Sequence, residues 1–377
     1  MGSGPPSVDK ATQRLNNFDL LRLVAVTQVC VCHSLLWLKV PWPPIVNYLT
    51  DLFPGVPMFS IISGFLVSAS LESKTGHLGQ YFKNRILRIY PGLWTCLFLS
   101  IASVMVIRPD IFRQAGWRGI LGWVAAQASF MQFWNPAFLR GYGVGVLNGS
   151  LWTIPLELQF YVVLPALYKA LGLYRQRRNG LLLAITVLLG ALNWNMKLGE
   201  ETATGSLLWF KLYHQTFIPN MFMFMMGVMA KRNFQALYPL VAGRAFLWSL
   251  VYGSVSYVVY RMGILPSNPL TMTLLVMFVL ACAYSRPAFS QRILRGADIS
   301  YGAYLYNMVV INAFREYGYV KEPVYVLLAI AIIYGLAALS WRFVEKPFLA
   351  FKSGPSMPAA ELAPPVGLAA APRQRVA

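Results

Sequence analysis

An arginine and a histidine, Arg22 and His33, stand eleven positions apart in an otherwise apolar run, LLRLVAVTQVCVCHSLLWL (20–38). On a helix that spacing makes about three turns, so both side chains share one face, about 16 Å apart along the axis. The run is too long and too apolar for an ordinary surface helix and reads as a membrane span. Ionisable groups inside lipid need a partner, a cavity or a function. A histidine can take a proton from a hydroxyl near neutral pH, which an arginine cannot. The plainer alternatives are a packed histidine donating to a backbone carbonyl and an arginine that snorkels to the interface or pairs with Asp19. The pair points to a membrane enzyme or transporter.

Three further groups carry chemistry. Glu157 lies in GSLWTIPLELQFY (149–161), with Pro155 two residues earlier to loosen the helix start. A carboxylate at that depth can orient a hydroxyl, pair with a cation or assist His33, and it is expected to face the same interior cavity as His33. Arg85 and Arg88 in YFKNRILRIYP (81–91) share a helix face. Two guanidinium forks suit bound phosphates, and equally lipid headgroups. GVPMFSIISGFLVS (55–68) sets Ser60, Ser63 and Gly64 inside a span. Small residues there allow close helix packing, or make room for a long, narrow donor, which makes Ser63 a candidate donor-binding residue. As a covalent nucleophile Ser63 lacks the strand–turn–helix setting. His77 and His214 have no metal spacing with His33, so no metal site is expected.

The elements that must position these residues follow from composition. Of 377 residues, 57% are hydrophobic and 12% charged, the latter roughly half the soluble norm. The net charge of +19 sits in short loops between apolar runs, the pattern of the positive-inside rule, not of nucleic-acid binding. Met1–Asn17 is polar without a cleavage pattern, so the first span is expected to persist. Cys30, Cys32, Cys96 and Cys282 all lie in apolar segments, against a disulfide framework.

Spans are expected at 20–38, 52–70, 91–107, 151–170, 181–196, 213–230, 237–259, 268–284, 299–314 and 323–341. The fold class is therefore all-α, a polytopic membrane protein of about ten transmembrane helices with both termini cytoplasmic. Lys74, Lys83, Arg85 and Arg88 follow the second span, and Lys169, Arg175, Arg177 and Arg178 the fourth. Lys231/Arg232, Arg286/Arg292/Arg295 and Arg342/Lys346 fall on the same side. Adding 120–134 as a span breaks that parity, so it is expected to be re-entrant or interfacial. Arg108, Arg113, Arg118 and Arg140 are an outer exception. The chain divides into a cytoplasmic segment (1–17), a transmembrane domain (18–350) and a Pro- and Ala-rich disordered tail (351–377).

These pieces, in this order, resemble the membrane-bound acyltransferase family 3, the integral-membrane O-acyltransferases of bacterial cell-surface sugars. NNFDLLRLVAVTQVCVCHS matches the family's Arg–ten residues–His signature at Arg22 and His33. VPMFSIISGFLVS, YFKNRILRIYPGLW and GSLWTIPLELQFYVVLP match its next motifs, and FMFMMGVMAK, SYGAYLYN and WRFVEKPF match weaker segments. The resemblance covers about residues 16–350. It implies ten spans in the bacterial plasma (inner) membrane and transfer of an acyl group, most often acetyl, from acetyl-CoA or another acyl-CoA to a sugar hydroxyl. It makes His33 the essential histidine, Arg22 its partner, and Arg85 and Arg88 the cytoplasmic donor-binding pair. SYGAYLYN ends in Asn307 where many relatives have a histidine, which leaves 307 a hydrogen-bonding role rather than a catalytic one. No hydrolase-like domain follows residue 350, so transfer is expected to finish within the membrane domain or on a separate partner.

The leading expectation is thus an acyl-CoA-dependent O-acyltransferase acting on an exported or cell-surface polysaccharide such as exopolysaccharide, or its lipid-linked precursor. Expected partners are acyl-CoA, the carbohydrate acceptor, membrane lipids and glycan-assembly proteins, with no nucleic acid. His33 acts as general base or is transiently acylated. Trp37, Trp42, Trp134 and Trp152 are candidates for stacking on sugar rings or for an interfacial belt. The alternatives are a transporter or flippase of a lipid-linked sugar, which consumes no thioester, and a scaffold, whose ionisable residues tolerate replacement.

Overall fold

The computed structural model describes residues 15–73, 77–174, 178–202, 216–264 and 268–352; side chains of 196–202 and of 219 are not included. Lys74, Arg175, Arg177, His214, most of the 1–17 segment and the tail beyond Lys352 lie outside the described residues. Among the described residues the chain is helical throughout, without a strand. Each of the expected apolar runs coincides with a helix: α1 (Phe18–Trp37), α3 (Gly55–Ser73), α4 (Leu78–Ile107), α6 (Thr153–Ala170), α7 (Asn179–Thr202), α8 (Phe217–Arg232), the pair α9 (Phe234–Val241) and α10 (Ala245–Arg261), α11 (Pro269–Tyr284), α13 (Ser300–Glu316) and α14 (Pro323–Ser340).

By length and apolarity, 5 helical stretches are able to cross a membrane: Phe18–Trp37, Pro44–Ser73, Leu78–Ile107, Gly149–Ala170 and Pro323–Leu349. A sixth is added if α9 and α10, bent by 90° to each other, count as one. Asn179–Asn195 and Pro269–Tyr284 are apolar but shorter. The fold is therefore a polytopic bundle whose helices are of unequal reach.

Four departures from the sequence pattern matter. A separate helix, α2 (Pro44–Leu52), precedes α3 and breaks from it at Phe53 (φ −118°, ψ 65°), just before Pro54. Proline has no N–H to continue the ladder, and it disfavours the helical region for the residue before it. α4 begins well before the expected residue 91, because YFKNRILRI continues as an amphipathic turn that carries Arg85 and Arg88. The expected span 237–259 is a bent pair rather than one rod. The 120–134 run ends a helix, α5 (Pro109–Ala128), kinked at Gly116, and then passes into turns. The short helix α12 is Phe289–Leu294, and α15 is Lys346–Ala350, after a wide π turn over Trp341–Glu345.

Without water to squeeze out, helices in lipid associate through close packing and interhelical hydrogen bonds. α1, α4 and α13 run parallel. Cys30 Sγ donates to Ala303 O (3.7 Å) and Arg315 Nη1 to Trp37 O (2.9 Å). Tyr301 Oη donates to Ile89 O (2.9 Å) and Cys96 Sγ to Leu305 O (3.2 Å). α3 runs antiparallel to α1, with Phe65 against Phe18 at one end (5.2 Å between ring centres) and Gly55 N–H donating to Gln28 Oε1 (3.1 Å) at the other. Asn17 ties the start of α1 to the end of α11: its Nδ2 donates to Cys282 O (3.2 Å) and Ser285 O (2.9 Å), and its Oδ1 accepts from Ser290 N (2.9 Å). The four cysteines are free thiols.

α3 and α8 meet backbone to backbone. A Cβ on Gly64 would lie 2.0 Å from Phe224 O, and one on Gly227 would lie 2.1 Å from Ile61 O. Neither obstacle is the flexible end of a side chain, so the helices must separate if either residue grows. Gly64→Ala is therefore expected to destabilise the bundle by about 1–3 kcal/mol, as overpacking does. Thermal unfolding of the detergent-solubilised variant checks this; a melting temperature equal to the wild type's would disprove the close approach.

Candidate functional site

His33 lies on the face of α1 that meets α13. Its Nδ1 is 3.1 Å from Asn307 Oδ1. Asn307 is fully buried, and its Nδ2 donates to the carbonyl of Tyr304 (2.6 Å). A carbonyl only accepts, so this bond fixes which way the amide points and leaves Oδ1 facing the imidazole. Nδ1 of His33 must then carry the proton, and Nε2 keeps its lone pair. Ser150 Oγ donates to the same Oδ1 (3.1 Å) and lies 3.5 Å from His33 Nδ1. The Tyr304 hydroxyl donates to Ser150 O, so the Thr153 hydroxyl, 2.6 Å away, donates to Tyr304.

Ser150 reaches this position because α13 holds the segment before it. Glu316 Oε1 accepts from Gly143 N (2.6 Å) and Asn312 Oδ1 from Val144 N (2.9 Å). Asn312 Nδ2 donates to Val146 O (3.0 Å) and Leu147 O (2.8 Å), and Asn148 Nδ2 to Leu305 O (2.8 Å). Gly143 has φ +59°, and a Cβ there would sit 2.1 Å from Asn312 Oδ1, so only glycine allows the loop to lie this close. A 3₁₀ turn over Gly149–Trp152 then presents Ser150 and leads into α6. Glu316 also meets Arg108 (3.4 Å), which Asp110 holds from the other side (2.8 Å) and whose guanidinium holds the Asp110 carboxyl below its ordinary range.

A cavity of about 530 Å³ opens on His33. Its wall includes Gln28, Cys32, Thr50, Asp51, Ser150, Trp152, Met272 and Tyr304, with Pro54–Pro57 from the break between α2 and α3. Gln28 is the strut of that wall: its Nε2 donates to Thr50 O (3.1 Å) and Cys32 Sγ (3.3 Å).

At the other end of the same face lies a charge cluster. Arg22 is 3.3 Å from Asp19 and 3.5 Å from Asp298. Asp298 also binds Arg88, whose second nitrogen approaches Glu345 at 3.9 Å. Glu345 is buried in the π turn and accepts from Ser340 Oγ (3.1 Å). Burial pushes the Asp298 carboxyl up, but the Arg88 and Arg22 guanidiniums outweigh it and hold it at about 2. Lys352 lies at this mouth too, its ammonium lowered to about 8 by burial and then by the neighbouring arginines. Among the described residues Arg85 has no carboxylate partner. It is packed between the rings of Tyr81 (5.4 Å) and Tyr161 (5.2 Å), and its Nε is buried without a hydrogen-bond partner.

The structure thus brings His33 to Asn307 and Ser150, and brings Arg22 and Arg88 together on Asp298. Glu157 belongs to neither group. It accepts from the Tyr161 hydroxyl one turn on and does not line the His33 cavity. The 3₁₀ turn places Ser150 at His33, so Glu157, seven residues later, falls about 10 Å further along. Ser63 is half-buried beside Gly64 and lines no part of that cavity. Sequence reasoning missed Asp51, Asp298 and Glu345. Asp298 and Glu345 sit at helix ends in polar stretches, and only their distant arginine partners distinguish them. Among the described residues no group of three or more His, Cys, Asp or Glu is placed to hold a metal ion.

A family model described as an acyltransferase domain matches residues 15–342. The chain is 30% identical to nodulation protein 10 of Rhizobium leguminosarum bv. viciae, over 92% of this chain and 97% of that protein. It is 25% identical to the O-acetyl transferase of Shigella phage Sf6, over 91% of this chain and 98% of the other. It is 23% identical to the peptidoglycan O-acetyltransferase OatA of Listeria monocytogenes, over 88% of this chain but only 55% of that longer protein. No solved structure matches it.

The charge cluster makes a pH-dependent prediction. The Asp298 carboxyl is depressed from its model-compound value of 3.8 to about 2, so its ionised form stabilises the fold above about pH 4. That contribution, on the order of 2 kcal/mol, is lost as pH falls from about 4 through about 2. Asp298→Asn leaves two guanidiniums short of a counter-charge and is expected to cost about 3 kcal/mol at pH 7. Melting temperatures in detergent should show a gap between wild type and D298N that closes as pH drops toward 2; a gap independent of pH contradicts the assignment.

Proposed function

This chain belongs to the membrane acyltransferase family 3, and we propose that it transfers an acyl group, acetyl in the first instance, from acyl-CoA to a hydroxyl of a sugar. The acceptor is an exported or surface polysaccharide or its lipid-linked precursor. The observation that carries this reading is a histidine held through one nitrogen by an amide, with its other nitrogen available to a cavity of about 530 Å³. Two of its relatives are named as O-acetyltransferases, one of them for peptidoglycan, which favours acetyl as the group and a sugar as the acceptor.

The proposed chemistry uses few groups. Nε2 of His33 takes the proton of the acceptor hydroxyl while Asn307 holds Nδ1–H. The oxygen attacks the thioester carbonyl, a C–O bond forms, and the tetrahedral intermediate expels the thiolate. The imidazolium returns its proton to that sulfur, giving ester and free thiol, with no net change in the protein. Asn307 and Ser150 orient the ring and exchange no proton with substrate.

The donor enters from the Arg22 end and the acceptor from the other. Arg88 is occupied by Asp298 and Glu345, so the phosphates are bound chiefly by Arg85, with Lys352 beside it. Ten spans with both termini cytoplasmic fit the bundle's geometry. Two parallel spans such as α1 and α13 need an odd number of crossings between them, and the ten-span count supplies one. The Arg22 end then faces the cytoplasm, where acyl-CoA is available, and the membrane is the bacterial inner membrane.

Two outcomes are expected in proteoliposomes supplied with acetyl-CoA and surface glycan. His33→Ala keeps its fold and loses roughly 10²–10⁴-fold in transfer. Near-normal turnover by well-folded H33A removes the histidine from the mechanism. Arg85→Ala raises the KM for acetyl-CoA about tenfold, more than for a dephosphorylated donor, while Arg88→Ala chiefly lowers the melting temperature. Equal losses of affinity for both donors in R85A argue against phosphate recognition there.

A further inference from the structure

One carboxylate does line the His33 cavity, and it is Asp51. It stands at the last turn of α2, just before the break that separates α2 from α3. Its side chain is exposed and has neither hydrogen bond nor ion pair among the described residues. Among the described residues no lysine or arginine belongs to the cavity wall. The nearest polar neighbours are already committed: Gln28 to Thr50, Cys32 and Gly55, and the Thr50 hydroxyl to Asn47 O (2.8 Å). Among the described residues Asp51 is therefore the one anionic group in the wall of a wide chamber that also presents His33 and the ring of Trp152.

We propose that Asp51 selects the acceptor: it accepts hydrogen bonds from hydroxyls flanking the reacting one, and it excludes sugars whose reacting ring carries a carboxylate or phosphate. This rests on the acyltransferase reading and specifies the substrate class for the same site. A carboxylate accepts from two adjacent hydroxyls at once, which suits a neutral pyranoside. Trp152 offers an amphipathic ring face to the C–H side of such a ring. An anionic ring in the same space meets Asp51 with no lysine or arginine among the described wall residues to offset the repulsion, and like charges so placed are strongly disfavoured. Glu157 is too far along α6 to share this task.

The test uses reconstituted protein, acetyl-CoA and two probes that differ only at C6, methyl β-D-glucopyranoside and methyl β-D-glucuronoside. Wild type is expected to favour the neutral probe by about tenfold or more in kcat/KM. Asp51→Asn should raise the KM for the neutral probe and bring the ratio toward one, and Asp51→Glu should restore the preference. An unchanged ratio in D51N, or a wild-type preference for the glucuronoside, overturns the proposal. Binding is read without catalysis from maleimide alkylation of Cys32, which lines the cavity, in a Cys282→Ser background. Protection of Cys32 by the neutral probe alone is expected; protection by neither probe, or by both equally, also overturns it. Thiol release from acetyl-CoA in the presence of total membrane glycolipid reports on the acyltransferase reading separately. Its absence with selective protection intact sinks that reading and leaves the selection by Asp51 standing as a binding property.

Discussion

One carboxylate, Asp298, bridges two guanidiniums that the bundle cannot leave bare, while Asp19 meets Arg22 and Glu345 approaches Arg88 from their other sides. Arg22 comes from α1, Arg88 from α4, and Asp298 from the residues just before α13. Each arginine alone at this depth is costly, and together they repel. Asp298 joins the ends of three parallel helices and so sets their axial register. From that point α1 climbs eleven residues to His33 and α13 climbs nine to Asn307. The difference in rise, about 3 Å, is absorbed because Asp298 precedes the first helical residue of α13 and is not yet in the helix. The ion pair and the His33–Asn307 bond are two ends of one fitted interface.

The polar residues of α13 divide the work along its length. Tyr301 lies under Arg88 (5.5 Å) and donates to α4, while Tyr304 and Asn307 organise the histidine. These residues recur at three-residue spacing and so share a face. Further on, Asn312 and Glu316 hold the loop that delivers Ser150. A helix at membrane depth gains little from apolar contact with its neighbours, since lipid is as apolar as they are. Its identity as the spine of the site therefore rests on hydrogen bonds to backbone carbonyls and amides of other segments. Such bonds fix direction as well as distance, which a stripe of leucines does not.

Much of this was legible in the sequence, for a physical reason. Apolar runs long enough for lipid are a composition signal, and each one found its helix. His33, Arg22, Arg85 and Arg88 stood out because charge inside such runs is expensive. The local pair of Arg22 with Asp19 was legible from its i,i+3 spacing, but distant partnership was not. Arg88 and Arg85 share a motif and a helix face, yet one is held by carboxylates from 298 and 345 while the other lies between tyrosine rings. A helical pattern tells which face a residue is on, not which distant segment comes to meet it. Breaks were also hidden: LTDLFPGVP reads as the approach to a span, and only the structure shows a second helix ending there with Asp51 in the cavity wall. Glu157 illustrates the converse: a glutamate inside a span implies some interior environment, but the sequence does not say which, and here it accepts from Tyr161 rather than lining the His33 cavity.

Asn307 gives His33 an amide as its partner. An amide has one acceptor end and one donor end, and the Tyr304 carbonyl decides which faces His33. The ring is therefore held as the tautomer with hydrogen on Nδ1, without any group that must itself gain or lose a proton. Two neighbouring imidazoles would titrate as a coupled pair, and the proton could reside on either. In the proposed reaction, a proton taken from an acceptor would have one place to go, the Nε2 of His33, and would leave from there to the departing sulfur. Ser150 strengthens the arrangement by occupying the second lone pair of the same Oδ1. The amide is then held from both ends, and Nε2 of His33 is the nitrogen left to the cavity for the proposed proton transfer.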